Sequence, residues 1–161
     1  LLRGYPMQFL CRDSVLAGGM ALALLPMTAL PAVAQAADKA AIFAAAGFRP
    51  GPDGQYVLCQ EETPTASYVP GQVELVDLNG DGQPEAWVTE TSMFCYGSPH
   101  TYFALLRQDG GGWRKLLEDI GLPVVLETRH QGWPDIEVGG PGFDKFPYYR
   151  WDGKAYVRLE P

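Results

Sequence analysis

Cysteine, histidine and basic residues are all scarce in this chain. Three cysteines and two histidines occur among 161 residues, and 12 Lys and Arg face 19 Asp and Glu. His100 and His130 lie apart and no C-x-x-C pair occurs, which removes the usual transition-metal and dithiol motifs. The acidic excess, a formal charge of −7, repels nucleic acid and anionic lipid, so neither is an expected partner. Helical segments alternating with strands are also missing, which sets aside a parallel α/β architecture. Ser98 and His100 in YGSPH have no glycine-framed elbow around the serine, so the chain reads as a non-enzyme.

The first feature that is present is an apolar run, VLAGGMALALLPMTALPAVA, at residues 15–34. A run of about 20 such residues is long enough to span a bilayer. Pro26 and Pro31 interrupt it, however, an A-x-A site follows at Ala34, Gln35 and Ala36, and no basic stop-transfer cluster comes next. Residues 1–36 are therefore expected to be a secretory signal cut after Ala36, with Met7 as the start and residues 1–6 as upstream read-through. The product is then periplasmic or secreted, with no membrane span after cleavage. Residues 37–161 form a single domain by size. Losing Arg3, Arg12 and Asp13 leaves that domain at a net charge of −8. Cleavage also removes Cys11, leaving Cys59 and Cys95, which in an oxidising compartment are most simply one disulfide. The competing reading of these two is a reactive or metal-binding thiol pair.

Alanine-rich residues 37–47, ADKAAIFAAAG, predict one N-terminal helix, with Ile42, Phe43 and Ala46 on one face and Gly47 ending it. The segments QYVLCQ, QVELV, EAWVTE, TYFALLR, GWRKLLE, PDIEVGG, YYRW and KAYVRL read as short strands. Asp53-Gly54, Asp109-Gly110 and Asp152-Gly153 supply hairpin apices. The expected fold is thus α+β, mainly an antiparallel β meander with that one helix packed on it. RQDGGGWRKL from Arg107 echoes RWDGKAYVRL from Arg150, as either a duplicated hairpin or convergent hairpin chemistry.

The stretch VDLNGDGQPEAWV carries the clearest chemistry. Asp77, Asn79 and Asp81 alternate, Gly82 allows a sharp bend, and Glu85 follows. Calcium takes six to eight oxygen ligands, and a curled loop can present alternate side chains to one point. Asp77, Asn79, Asp81 and Glu85 would contribute side-chain oxygens and Gln83 its backbone carbonyl. An EF-hand is set aside, because its twelfth loop position falls on Val88 and the flanks read as strands. The other reading is a tight turn with no ion, since Asp, Asn and Gly are ordinary turn residues.

This Asp-x-Asn-x-Asp-Gly-x-x-Glu pattern between two β segments resembles the calcium loop of FG-GAP and VCBS-type repeats of secreted bacterial proteins and integrin-like propellers. The resemblance implies calcium coordination by Asp77, Asn79, Asp81, Gln83 and Glu85, with a structural or adhesive role for the ion. It covers one loop copy only, with Glu85 where those repeats carry aspartate.

Aromatic residues crowd the C-terminal third, and they read either as core or as a ligand face. The face would be built around Tyr148, Arg150 and Trp151, although alternation along PYYRW divides Tyr148 and Arg150 from Tyr149 and Trp151. Asp135 and Glu137 are expected to face solvent, and His130 to lie in a loop. The function these features suggest is a non-catalytic, calcium-stabilised envelope module that binds a protein or glycan. A small periplasmic enzyme inhibitor is the alternative.

Overall fold

A computed structural model of the protein describes residues 32–60, 65–98, 101–140 and 145–160. It is dominated by antiparallel strands. Most of the expected signal segment lies outside the described residues, as does His100. Helix α1, Ala32–Ala46, buries Ile42, Phe43 and Ala46. Gly47 ends it at φ 96°, a conformation in which its N–H reaches Ala44 O at 3.0 Å and the Phe48 N–H reaches Phe43 O at 2.8 Å. These two bonds satisfy carbonyls that the helix end would otherwise leave open. Among the described residues no helix is long and apolar enough to cross a membrane.

A two-stranded ribbon, β1 (Arg49–Pro50) and β2 (Tyr56–Val57), follows the helix. The first large sheet runs in chain order through β3 (Val69–Val76), β4 (Glu85–Thr91), β5 (Thr101–Asp109) and β6 (Gly112–Ile120). The second runs through β7 (Leu122–His130), β8 (Trp133–Gly139), β9 (Tyr148–Trp151) and β10 (Tyr156–Leu159). A single helical turn, α2 (Met93–Tyr96), links β4 to β5.

The first sheet is covered on both faces, which explains the unbroken apolar run of β5. Tyr102, Ala104 and Leu106 pack with Ala86, Val88 and Phe48 against the helix. Phe103 and Leu105 point the other way, into a second core with Ile136, Val138, Tyr149, Trp151 and Tyr156 of the second sheet. A strand buried on both sides has no polar face to alternate with.

Four expectations are corrected. There are two four-stranded meanders instead of one, joined where β6 passes into β7 through Gly121 alone; a Cβ there would lie 2.4 Å from Val138 Cγ1. His130 is no loop residue but closes β7 opposite Trp133. Asp135 does not face solvent; it is 2% exposed and takes a bidentate contact from Arg150, at 3.0 and 2.7 Å. Trp151, placed on the binding face, is 5% exposed and stacked on Trp133 in the core. Its alternation phase pairs it with Tyr149, whose ring also points inward. Tyr148 and Arg150 stay on the outer side, with the Arg150 guanidinium 5.5 Å from the Tyr148 ring centre.

Cys59 and Cys95 form a disulfide, with their Cα atoms 6.0 Å apart. It ties the segment after β2 to α2. Beside it Glu90 accepts hydrogen bonds from Leu58 N (3.0 Å), Cys59 N (2.8 Å), the Tyr68 hydroxyl (2.8 Å) and the Tyr96 hydroxyl.

Candidate metal centre

The loop between β3 and β4 starts where Val76 pairs with Glu85, the last rung of the ladder. Gly80 and Gly82, at φ 80° and 83°, curl the chain so that its amides turn inward. Asp77 gathers them: Oδ1 accepts from Gly80 N at 2.8 Å and Asp81 N at 3.2 Å, and Oδ2 from Gly82 N at 2.9 Å. Asn79 Oδ1 accepts from Asp81 N, and Asp81 Oδ1 from Gln83 N, both at 2.8 Å. The Gln83 amide holds the Asp81 carboxyl below the usual aspartate range, with Asn79 and Arg107 adding to the effect. Asp77 Oδ1 accepts two of these bonds, whereas Asp77 Oδ2, Asn79 Oδ1 and Asp81 Oδ1 accept one each, so they shape the loop and leave lone pairs on three of its oxygens.

The base of the loop is held by the rest of the fold. Leu78 is buried in the inter-sheet core, and its carbonyl accepts from Arg129 Nη1 at 2.9 Å. The same nitrogen donates to Gly132 O at 2.8 Å, so the β7–β8 hairpin clamps the loop.

Glu85 is the unusual member. It is 0% exposed; Oε2 accepts from Leu78 N at 3.0 Å, while Oε1 has no hydrogen-bond partner. Burial pushes this carboxyl above the usual glutamate range. Asp81 and Asp77 push it further, and the Leu78 amide and Arg107 oppose them. Arg107, on β5, lies 2.7 Å from Asp81 Oδ2 through Nη2 and 3.9 Å from Glu85 Oε1 through Nε. Its guanidinium also sits 5.4 Å from the Trp133 ring centre.

Of the five residues expected to bind calcium, the structure brings Asp81 and Glu85 against one guanidinium and leaves Asp77 folded onto backbone amides. Among the described residues no three carboxylate, imidazole or thiol groups already close on one point. The donor chemistry nevertheless suits a hard cation: all candidate ligands are oxygens, and one buried carboxylate oxygen lacks a partner, a condition that costs several kcal/mol in a dry site. Were a hard cation to bind here, Asp77, Asn79, Asp81 and Glu85, with the Gln83 carbonyl, are the groups that would hold it, and it would supply positive charge beside the buried Glu85 carboxyl.

Arg107, Glu90 and Asp135 were not singled out as site residues from the sequence. Arg107 had a signal, since it opens the echoed Arg-x-Asp-Gly hairpin. Arg107 and Arg150 indeed occupy matching strands before the two hairpins, and each pairs with an aspartate. A second candidate, an open groove of about 430 Å3 between β6 and the β9–β10 hairpin, is lined by Lys115, Leu116, Leu117, Glu118, Tyr149 and Tyr156. Its Glu118 is already engaged by Lys115 at 2.6 Å and the Tyr102 hydroxyl at 2.7 Å. Comparison of the chain with family models, curated proteins and solved structures yields no match.

Proposed function

We propose that this is an exported, non-catalytic binding module whose β3–β4 loop is stabilised by calcium. The observation that carries the reading is Glu85, a buried carboxylate with one oxygen unpaired beside two further acidic side chains. Export is supported by the signal-like residues 1–36, and a disulfide suits an oxidising compartment. A cut after Ala36 falls within α1, so the part of the helix from Ala37 to Ala46 would open the mature domain. Binding, rather than catalysis, is supported by the other buried carboxylates, since Glu90 and Asp135 are committed to donors within the chain.

The partner surface we assign is the outer face of the second sheet. There Val124, Glu137, Tyr148 and Leu159 form one cross-strand row, and Arg150 faces Val157 in β10. Mixed apolar and charged rows of this kind suit a protein partner. A glycan is less favoured, because Trp151, the ring best able to stack on a sugar, is in the core.

One observation favours the inhibitor reading. Phe94 is 76% exposed, the most exposed of the large apolar side chains among the described residues, and Met93 beside it is also exposed. Both sit on α2, which is held by the disulfide and by the Ser92 hydroxyl accepting from Cys95 N at 3.0 Å. An aromatic on a rigid turn loses little entropy on entering a target cleft.

The test is a thermal melt in EDTA and in millimolar calcium, beside Glu85→Gln. At a calcium concentration about 100-fold above Kd the melting point of the unaltered protein rises by roughly 10 °C. Glu85→Gln loses that rise. Equal melts with and without calcium in the unaltered protein end the calcium reading.

A further inference from the structure

We propose that Arg107 is the resident counter-cation of the loop at residues 77–85, and that calcium binds by displacing its guanidinium from Asp81 and Glu85. The inference rests on the calcium reading of the loop. Among the described residues, the ion pairs made to carboxylates of this loop come from Arg107 alone, through Nη2 to Asp81 at 2.7 Å and Nε to Glu85 at 3.9 Å. Arg129, the other guanidinium at the loop, is spent on the carbonyls of Leu78 and Gly132 and makes no carboxylate contact among those described.

Arg107 compensates the loop incompletely. A separation of 3.9 Å gives Coulomb attraction but no hydrogen bond, so Glu85 Oε1 stays unpartnered although a charge lies near it. The planar fork of arginine can grip one carboxylate with two parallel bonds. Here it is divided between two carboxylates and reaches only one within bonding distance. A single positive charge also faces three acids. A doubly charged, compact ion coordinated directly by Asp81 and Glu85 answers both deficits. It cannot share those oxygens with a guanidinium already in contact, because like charges at such range repel strongly. Arg107 has somewhere to go: its side chain is 30% exposed and lies over the Trp133 ring, which gives it a second favourable contact.

Arginine at this position therefore sets the affinity for calcium and keeps the loop folded without it. The arrangement is a cation exchange, with the protein's own charge as the competitor.

The experiment is calorimetric titration of the full protein with calcium chloride, comparing the unaltered chain with Arg107→Gln and Arg107→Lys, together with melts in EDTA. Arg107→Gln is expected to bind calcium at least about tenfold more tightly, and to melt lower than the unaltered protein in EDTA. Arg107→Lys keeps the charge without the fork and falls between the two. Calcium binding equal in all three, or weaker in Arg107→Gln, overturns the exchange while leaving the calcium reading intact. Binding in none of them overturns both. Should Arg107→Gln fail to fold in EDTA, calcium must restore it, and failure to do so also overturns the proposal.

Discussion

Glu85 and Glu90 stand on the same strand, β4, and are equally withdrawn from water, at 0% and 1% exposure. Their surroundings differ completely. Glu90 meets two backbone amides and two tyrosine hydroxyls, so every lone pair that burial strips of water is answered from within the chain. Glu85 meets one amide and one distant guanidinium. Burial of a carboxylate is therefore not itself a sign of function. The number of donors waiting for it separates a tether from a site.

The largest effect should follow from breaking the tether. Glu90→Ala leaves four donors facing an apolar methyl and is expected to lower stability by about 4 to 5 kcal/mol, read by urea denaturation. A loss under about 1 kcal/mol would mean that the two glutamates do not differ as described. Opening the disulfide by Cys59→Ala with Cys95→Ala comes next, at about 3 to 4 kcal/mol from the entropy of the closed loop. Both ties fasten the segment after β2, one to β4 and the other to the adjoining α2, so combining the two changes should cost less than their separate losses added together.

Asp135 gives an intermediate case, buried yet gripped by a guanidinium that is itself 40% exposed. Arg150 holds its carboxyl below the ordinary aspartate value of 3.8. A depressed folded pKa contributes stability above the unfolded value, and that stability disappears as pH falls through the folded one. Asp135→Asn should therefore cost about 2 kcal/mol at pH 7, discounted for the solvent around Arg150, and progressively less as the pH falls below the ordinary aspartate value of 3.8. Unfolding curves across that range measure the difference. The smallest effect belongs to Glu85→Gln, which in EDTA should stay within about 1 kcal/mol of the unaltered protein, because the lost charge was poorly compensated. A loss as large as that of Glu90→Ala would show Glu85 to be a second tether.

Much of this contrast was readable in part. The loop pattern pointed to Glu85, and the phase of EAWVTE puts Ala86, Val88 and Glu90 on one side, so a carboxylate facing the helix layer was visible in period two. Its four donors were not, because they arrive from distant segments that only the tertiary fold assembles. The strand β7 escaped notice for a different reason. An edge strand exposed on both faces has no apolar phase, and Pro123 within LPVVLETRH reads as a break although an edge position tolerates it. Trp151 was misplaced by grouping it with Tyr148 and Arg150 as neighbours in sequence; one residue of offset carries a side chain through the sheet.

Gly121 has a mechanical consequence. With one residue between them, β6 and β7 leave no slack at the joint, so a force pulling on either strand passes directly into the other sheet. An insertion at this point would have to tear one of the two ladders, whereas the Gly110-Gly111 tip, with open space around both glycines, can lengthen freely. A load applied to the second sheet thus reaches the first with no slack linker between them to absorb it.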